Sequence, residues 1–290
     1  MKILITGCTG FVGSALIESL RTENLTIYCM SRSVHEARGD YPLHVRSDFV
    51  TSLDRSELPE RLDCIIHAAA TMDRAASTGD MFRINTVSTL DLLQYGKEAG
   101  ISKFIYLSSG AVYGYAEDQL AEDGRLNPAE FYGLTKYESE FLVQHYRQFF
   151  STSIVRLFFP YGENQRRGLV PRLHECILQR KAITIFNDGN PRINPVYIAD
   201  VVMAIKYLLG DPEHGIFNLC GDDVVTIKEL AAIIAESLDV EPLFTHTLDE
   251  SVGDLVGCSG LIKQKLQCGA LTPLRSGIAR FLGNRANTAG

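Results

Sequence analysis

The chain has 290 residues, 46% of them hydrophobic, and a formal net charge of −7. That length suits one large domain, or one domain with a smaller appendage. An acidic chain with scattered Lys and Arg lacks the footprint of a nucleic-acid binder. No apolar run has the length of a membrane span or of a signal-peptide core, so a soluble, cytoplasmic, non-exported protein is expected, with no membrane partner.

Strand and helix signals alternate through the first half. Lys2–Thr6 (KILIT) reads as a buried parallel strand. Phe11–Leu20 has helical periodicity, and strands follow at Leu25–Met30, His44–Arg46 and Asp63–His67. A long amphipathic helix is predicted over Met81–Ala99, a strand over Lys103–Leu107, a helix over Glu130–Phe149 and a strand over Ser153–Leu157. This βαβ rhythm predicts an α/β fold with a doubly wound parallel sheet. Beyond Leu157 the rhythm loosens. Helices are expected at Leu169–Arg180, Ala199–Leu209, Thr226–Leu238 (with Thr226 and Glu229 as a capping box) and Leu274–Leu282, and a strand at Gly215–Leu219. Residues 284–290 read as a frayed tail.

The seven cysteines (Cys8, Cys29, Cys64, Cys176, Cys220, Cys258, Cys268) contain no C-x-x-C pair and are odd in number. The histidines have no ligand spacing. Reduced cysteines acting as small apolar residues, no disulfide and no metal are therefore expected.

Between the first strand and the first helix stands Gly7-Cys8-Thr9-Gly10-Phe11-Val12-Gly13. Glycines in that context let the backbone approach a pyrophosphate, and the helix N-terminus offers it free N–H groups. A dinucleotide site is therefore expected, with Gly7, Gly10, Phe11, Val12 and Gly13 in it. After the second strand an acidic residue would select NAD, but Ser31-Arg32 stand there instead. A hydroxyl and a guanidinium suit a 2′-phosphate, which favours NADP over NAD. Asp48-Phe49 follow the third strand, where Asp can take the adenine amino group and Phe cover the ring. Ala68, Ala69 and Ala70 leave room for the dinucleotide at the end of the fourth strand. Asn85, a poor helix former inside a helix, can bond the backbone of strands four or five and shape the cofactor floor.

Tyr132 and Lys136 stand four apart on one helix face. An ammonium beside a phenol lowers its pKa and makes it an acid–base group near neutral pH. The fifth strand runs into Ser108-Ser109-Gly110-Ala111-Val112-Tyr113-Gly114, which puts a serine hydroxyl at the mouth of the sheet.

Taken together, TGCTGFVG, HAAA, the helix around Asn85, SSGAVYG, YGLTK and NPVYIADV resemble the extended short-chain dehydrogenase/reductases of the NAD-dependent epimerase/dehydratase family. The resemblance implies a Rossmann domain and a smaller C-terminal α/β substrate-binding domain. The expected division is 1–157 (with 196–219 returning to it) against 158–195 and 220–283. It maps the catalytic residues onto Ser109, Tyr132 and Lys136, and implies a homodimer and a nucleotide-sugar substrate. A substrate pocket is expected from Thr71, Met72, Ser109, Phe159, Leu169 and Arg192.

The chain departs from the family at several points. Phe159 replaces an Asn common after the sixth strand. In Asp188-Gly189-Asn190-Pro191-Arg192-Ile193-Asn194 the Arg falls one position early. Gly110-Ala111 stand where the family's dehydratases carry Asp-Glu, which speaks against water loss. The primary reading is thus an NADPH-dependent ketoreductase acting on a sugar nucleotide. The alternatives are an NAD-recycling 4-epimerase and, from a different class, a dinucleotide-sensing binding protein.

Overall fold

The computed structural model describes residues 1–32, 42–51, 53–73, 75–187, 191–249 and 252–288. Residues 188–190 of the Arg192 stretch and 289–290 of the tail lie outside them. Five early strands are β1 (Lys2–Thr6), β2 (Thr26–Ser31), β3 (Leu43–Arg46), β4 (Cys64–His67) and β5 (Lys103–Ser109). Helix α1 (Phe11–Leu20) joins the first two. The stretch before β5 is α2 (Thr78–Phe82), a π-helical turn at Arg83–Val87 and α3 (Ser88–Ala99). After β5 come a 3₁₀ turn at Gly110–Val112, α4 (Phe131–His145) and β6 (Ser151–Leu157).

The remaining elements are α5 (Leu169–Leu178), β7 (Ile183–Phe186), β8 (Arg192–Ile193), α6 (Ile198–Gly210), β9 (Gly215–Leu219) and β10 (Val225–Thr226). They are followed by α7 (Ile227–Leu238), β11 (Phe244–Thr247), α8 (Gly260–Leu266) and α9 (Leu274–Thr288). Among the described residues, no helix is long and apolar enough to cross a membrane.

The main sheet has seven strands in the order β3-β2-β1-β4-β5-β6-β9. Its first six follow the doubly wound 3-2-1-4-5-6 order, which places a switch point between β1 and β4. Strands β1 and β2, β2 and β3, β1 and β4, and β4 and β5 pair in parallel, with Ile5 opposite Cys29 and Ile66, and Ile66 opposite Ile105. Ile3, Leu4, Ile5, Ile65, Ile66, Phe104 and Ile105 are wholly buried, as strands covered on both faces must be.

The chain forms two compact units. One comprises Met1–Val112, Leu126–Arg156 and Val202–Phe217; the other comprises Tyr113–Arg125, Leu157–Val201 and Asn218–Gly290. The second unit contains two small sheets, antiparallel β10–β8 and parallel β11–β7. At the start of α7, Thr226 accepts from Glu229 N–H and the Glu229 carboxylate accepts from Thr226 N–H, the expected capping box.

Three expectations are corrected. The helix before β5 starts earlier, at Thr78 behind an N-cap Ser77, and carries a π turn. The tail is helical through Thr288 rather than frayed from Asn284. Cys8 and Cys29 form a disulfide, with Cα atoms 5.5 Å apart. The 21-residue separation hid the pair. Parallel pairing lays Cys29 beside Ile5, and the turn after β1 folds Cys8 back over it. Alkylation of unreduced, denatured protein should label Cys64, Cys176, Cys220, Cys258 and Cys268, and all seven cysteines only after reduction. Seven labelled thiols without reduction would remove the disulfide.

Candidate active site

The turn after β1 is tight. Gly7 sits at φ +65°, and a Cβ there would lie 2.7 Å from Ala69 N. Only glycine combines that backbone with so close an approach to the end of β4. Gly10 is the N-cap of α1 and supplies no side-chain cap, and no acidic residue stands in the first helical turn. The N–H groups around Phe11 and Val12 therefore have the helix dipole behind them and no competing carboxylate, a cradle suited to a pyrophosphate. Gly13 is buried one turn into α1.

The switch point is stitched by a buried polar chain that sequence reasoning missed. Thr6 Oγ1 accepts from Ala69 N–H at 3.1 Å and bonds His67 Nδ1 at 2.7 Å. His67 Nε2 meets Thr89 Oγ1 at 3.0 Å, and the Thr89 hydroxyl donates to Asn85 O. Burial drives the His67 pKa well down, so it works as a neutral tether.

Asn85 is fully buried inside the π turn. Its Oδ1 accepts from Thr71 N–H at 2.8 Å, and its amide donates to Thr71 O and Thr135 Oγ1, each at 3.0 Å. It thus bonds the loop after strand four, and helix α4 rather than strand five. A π turn costs regular hydrogen bonding and often marks a site where a side chain is being aimed. That oddity, a buried Asn inside a helix, was the available signal.

Of the remaining cofactor-side residues, Ser31 is buried and Arg32 exposed at the end of β2. Asp48 is exposed and accepts from Val50 N–H. Phe49 is only 5% exposed, part of the core and 6.2 Å from the His67 ring, so the adenine cover expected of it is turned inward. Ala68 and Ala69 are half-buried and Ala70 exposed.

Strand β5 alternates at its end. Ser108 points inward and donates to Glu140 Oε1 at 2.5 Å, whereas Ser109 Oγ accepts from Ala111 N–H at 3.1 Å and lies beside the Tyr132 phenol. The pleat therefore decides which serine faces the phenol. Gly133 makes the approach possible, because a Cβ there would lie 2.5 Å from Ala111 O. Burial pushes the Tyr132 phenol up to about 12, and the Ser109 hydroxyl beside it pulls it back in part. Burial brings Lys136 down to about 7, opposed by Glu140.

Lys136 Nζ donates to Leu107 O at 2.6 Å and lies 4.5 Å from the Tyr106 ring centroid. Among the chain's own groups, burial dominates and holds the Tyr132 phenol above its ordinary value.

The expected substrate residues fall in both units. Thr71 is fixed by Asn85 in the first unit, and Met72 beside it is 65% exposed. In the second, Phe159 follows β6 at φ +44°, a backbone strained for a non-glycine residue, and Leu169 opens α5. The Arg192 guanidinium is held by Asp254 at 2.6 Å and donates to Glu117 O. It borders a cavity of about 270 Å³ lined also by Glu117, Gln119, Val224 and Val256.

The signature described as "NAD dependent epimerase/dehydratase family" matches residues 3–220. The chain belongs to that family. It is an enzyme of the NAD-dependent type, on the α/β fold with a seven-stranded Rossmann-like sheet and small additional sheets. A Bacillus subtilis protein described as an uncharacterized UDP-glucose epimerase is 30% identical over 281 residues, covering 88% of this chain and 87% of that one. The dTDP-4-dehydro-6-deoxyglucose reductase of Escherichia coli is 28% identical over 258 residues, covering 82% of each. Among solved structures, the Bacillus cereus UDP-glucuronic acid 4-epimerase in complex with UDP-glucuronic acid and NAD superposes with a TM-score of 0.88. It is 23% identical and covers 99% of this chain and 100% of that one.

Gly133→Ala should drive α4 off the turn after β5. The expected cost is on the order of 1–3 kcal/mol in denaturant unfolding, the usual range for overpacking. An unchanged midpoint would mean the contact yields freely.

Proposed function

We propose that this enzyme is an NAD-recycling 4-epimerase of nucleotide-activated sugars. The observation that carries the reading is the grouping of Ser109, Tyr132 and Lys136 at the carboxyl end of β5, beside the switch point, with the non-titrating Gly110 and Ala111 next to them. The first supports chemistry at a carbinol carbon, and the second leaves no acid–base pair there for dehydration. The descriptions of the Bacillus relatives as epimerases support the same choice over the reductase reading.

In this proposal the turn Gly7–Gly13 and the start of α1 hold the pyrophosphate, and the alanines after β4 border the ring end. A nicotinamide held there would supply the reversible hydride acceptor that inversion at the sugar carbon requires. Ser109 holds the reacting oxygen. Tyr132 takes the hydroxyl proton as the carbonyl forms and gives it back as the carbonyl is reduced. Lys136 supplies positive charge at the base of the site. A phenol near 12 needs that charge, together with the oxidised cofactor's, to release its proton at neutral pH. Thr71, Met72, Phe159, Leu169 and Arg192 are assigned to the sugar nucleotide. Two copies are proposed to pair through α4, which exposes Phe131, Leu134 and Phe141 at helical spacing.

Tyr132→Phe should lower UDP-glucose to UDP-galactose interconversion by roughly 10²–10⁴-fold, the usual share of general acid–base catalysis. NAD binding should change less than about twofold, since the phenol oxygen adds little to it. Wild-type turnover in that variant rejects the mechanism.

A second reading, an NADPH-dependent ketoreductase, is favoured by one observation: Ser31 ends β2 and Arg32 follows it, with no carboxylate at either position. The two readings separate on the cofactor. Protein denatured after purification should release NAD if the epimerase reading holds. A site that purifies empty and binds NADPH tighter than NADH, with that preference lost in Arg32→Ala, would replace it by the reductase.

A further inference from the structure

Helix α4 meets the end of β5 at three consecutive strand residues. Leu107 O accepts from Lys136 Nζ, Ser108 Oγ donates to Glu140 Oε1, and Ser109 lies beside Tyr132. On the helix those partners are spaced by four, so they form one stripe. Glu140 is also gripped from β6. Arg156 Nε donates to Oε1 at 3.0 Å and Nη2 to Oε2 at 2.7 Å. Glu140 is 0% exposed and Arg156 2%. The chemistry proposed above uses Ser109, Tyr132 and Lys136 and leaves this ion pair without a part.

We infer that Glu140 is a positioning residue for that site: held by Arg156 and Ser108, it sets the register of α4 on β5 and places a negative charge one helical turn from Lys136. This rests on the reading that Ser109, Tyr132 and Lys136 do the chemistry.

The carboxylate has two consequences. A slip of α4 along β5 breaks the Ser108–Glu140 bond and at the same time carries Tyr132 away from Ser109, so the buried ion pair keeps the phenol beside its serine. It also acts on the lysine. Glu140 faces Lys136 from its own helix, Tyr106 from β5 and His67 from β4. Tyr106 and His67 are neutral because burial disfavours their charged forms. Glu140 is the group whose charge opposes the burial of the ammonium.

The test reads Lys136 directly, by NMR of protein carrying ¹³C at the lysine ε-carbons, with Lys136→Arg identifying the resonance. In wild type it should titrate near 7. In Glu140→Gln the titration should move down by roughly one pH unit or more, the size expected for a lost neighbouring opposite charge. Glu140→Asp, which keeps the charge, should restore it. A Glu140→Gln resonance that titrates where wild type does overturns the inference. Should Glu140→Gln not fold, Ser108→Ala leaves the ion pair in place and removes one hydroxyl. Its kcat for UDP-glucose should fall by roughly tenfold, with KM within about twofold, as for a small misalignment of reacting groups. A wild-type kcat would overturn the register claim. An inactive wild-type protein would instead count against the proposed function, and the lysine titration would still decide this one.

Discussion

A carboxylate sealed from water is costly unless it is fully paired, and Glu140 is the point around which the first unit is organised. Its two oxygens meet the Arg156 fork and the Ser108 hydroxyl. Removing one member of such a set leaves an uncompensated buried charge, which costs about 3–5 kcal/mol in comparable pairs. Replacing the whole set by apolar residues is often neutral or stabilising, so stability alone gives little reason for its presence. What the set supplies is direction. Salt bridges and hydrogen bonds have one satisfactory geometry, whereas apolar side chains tolerate sliding. A helix whose tyrosine must meet a serine on a neighbouring strand needs the first kind of contact.

The same logic runs through the switch point. Thr6, His67, Thr89 and Asn85 are all fully buried and each has hydrogen-bond partners. Between them they tie the end of β1, the end of β4, the π turn and α4 into one polar seam. Close backbone approach does the rest. Gly7 lets the first turn press on Ala69, and Gly133 lets α4 press on the turn after β5. Glycines bring the elements near, and the polar seam decides how they are aligned.

What the sequence revealed and what it hid follow from distance along the chain. The glycine turn, the Tyr132–Lys136 spacing and the capping box at Thr226 are local, so periodicity and propensity expose them. The resemblance pointed to Ser109, and the strand's true end supplies the physical reason: with β5 running to Ser109 rather than stopping at Leu107, the pleat separates the two hydroxyls. Glu140 and Arg156 are 16 residues apart, and each reads by itself as a surface charge. Cys8 and Cys29 were invisible as a pair for the same reason. The two-residue strands β8 and β10 carry too few residues for any period to show, and they pair with each other across long sequence separation.

The resting charge state of the site also has a physical rationale. Burial leaves Tyr132 protonated, near 12, and brings Lys136 to about 7, so neither group is strongly committed to an ion before a cofactor arrives. A phenolate and an ammonium formed in advance would bind one another in so dry a place. The Lys136 Nζ is instead anchored to Leu107 O, and the Tyr132 hydroxyl lies beside Ser109. Each has a neutral neighbour on the same strand, and a positive charge entering beside them is what tips the phenol toward releasing its proton. The strand thus keeps acid and base apart at a fixed separation, and Glu140 keeps the strand and helix in step.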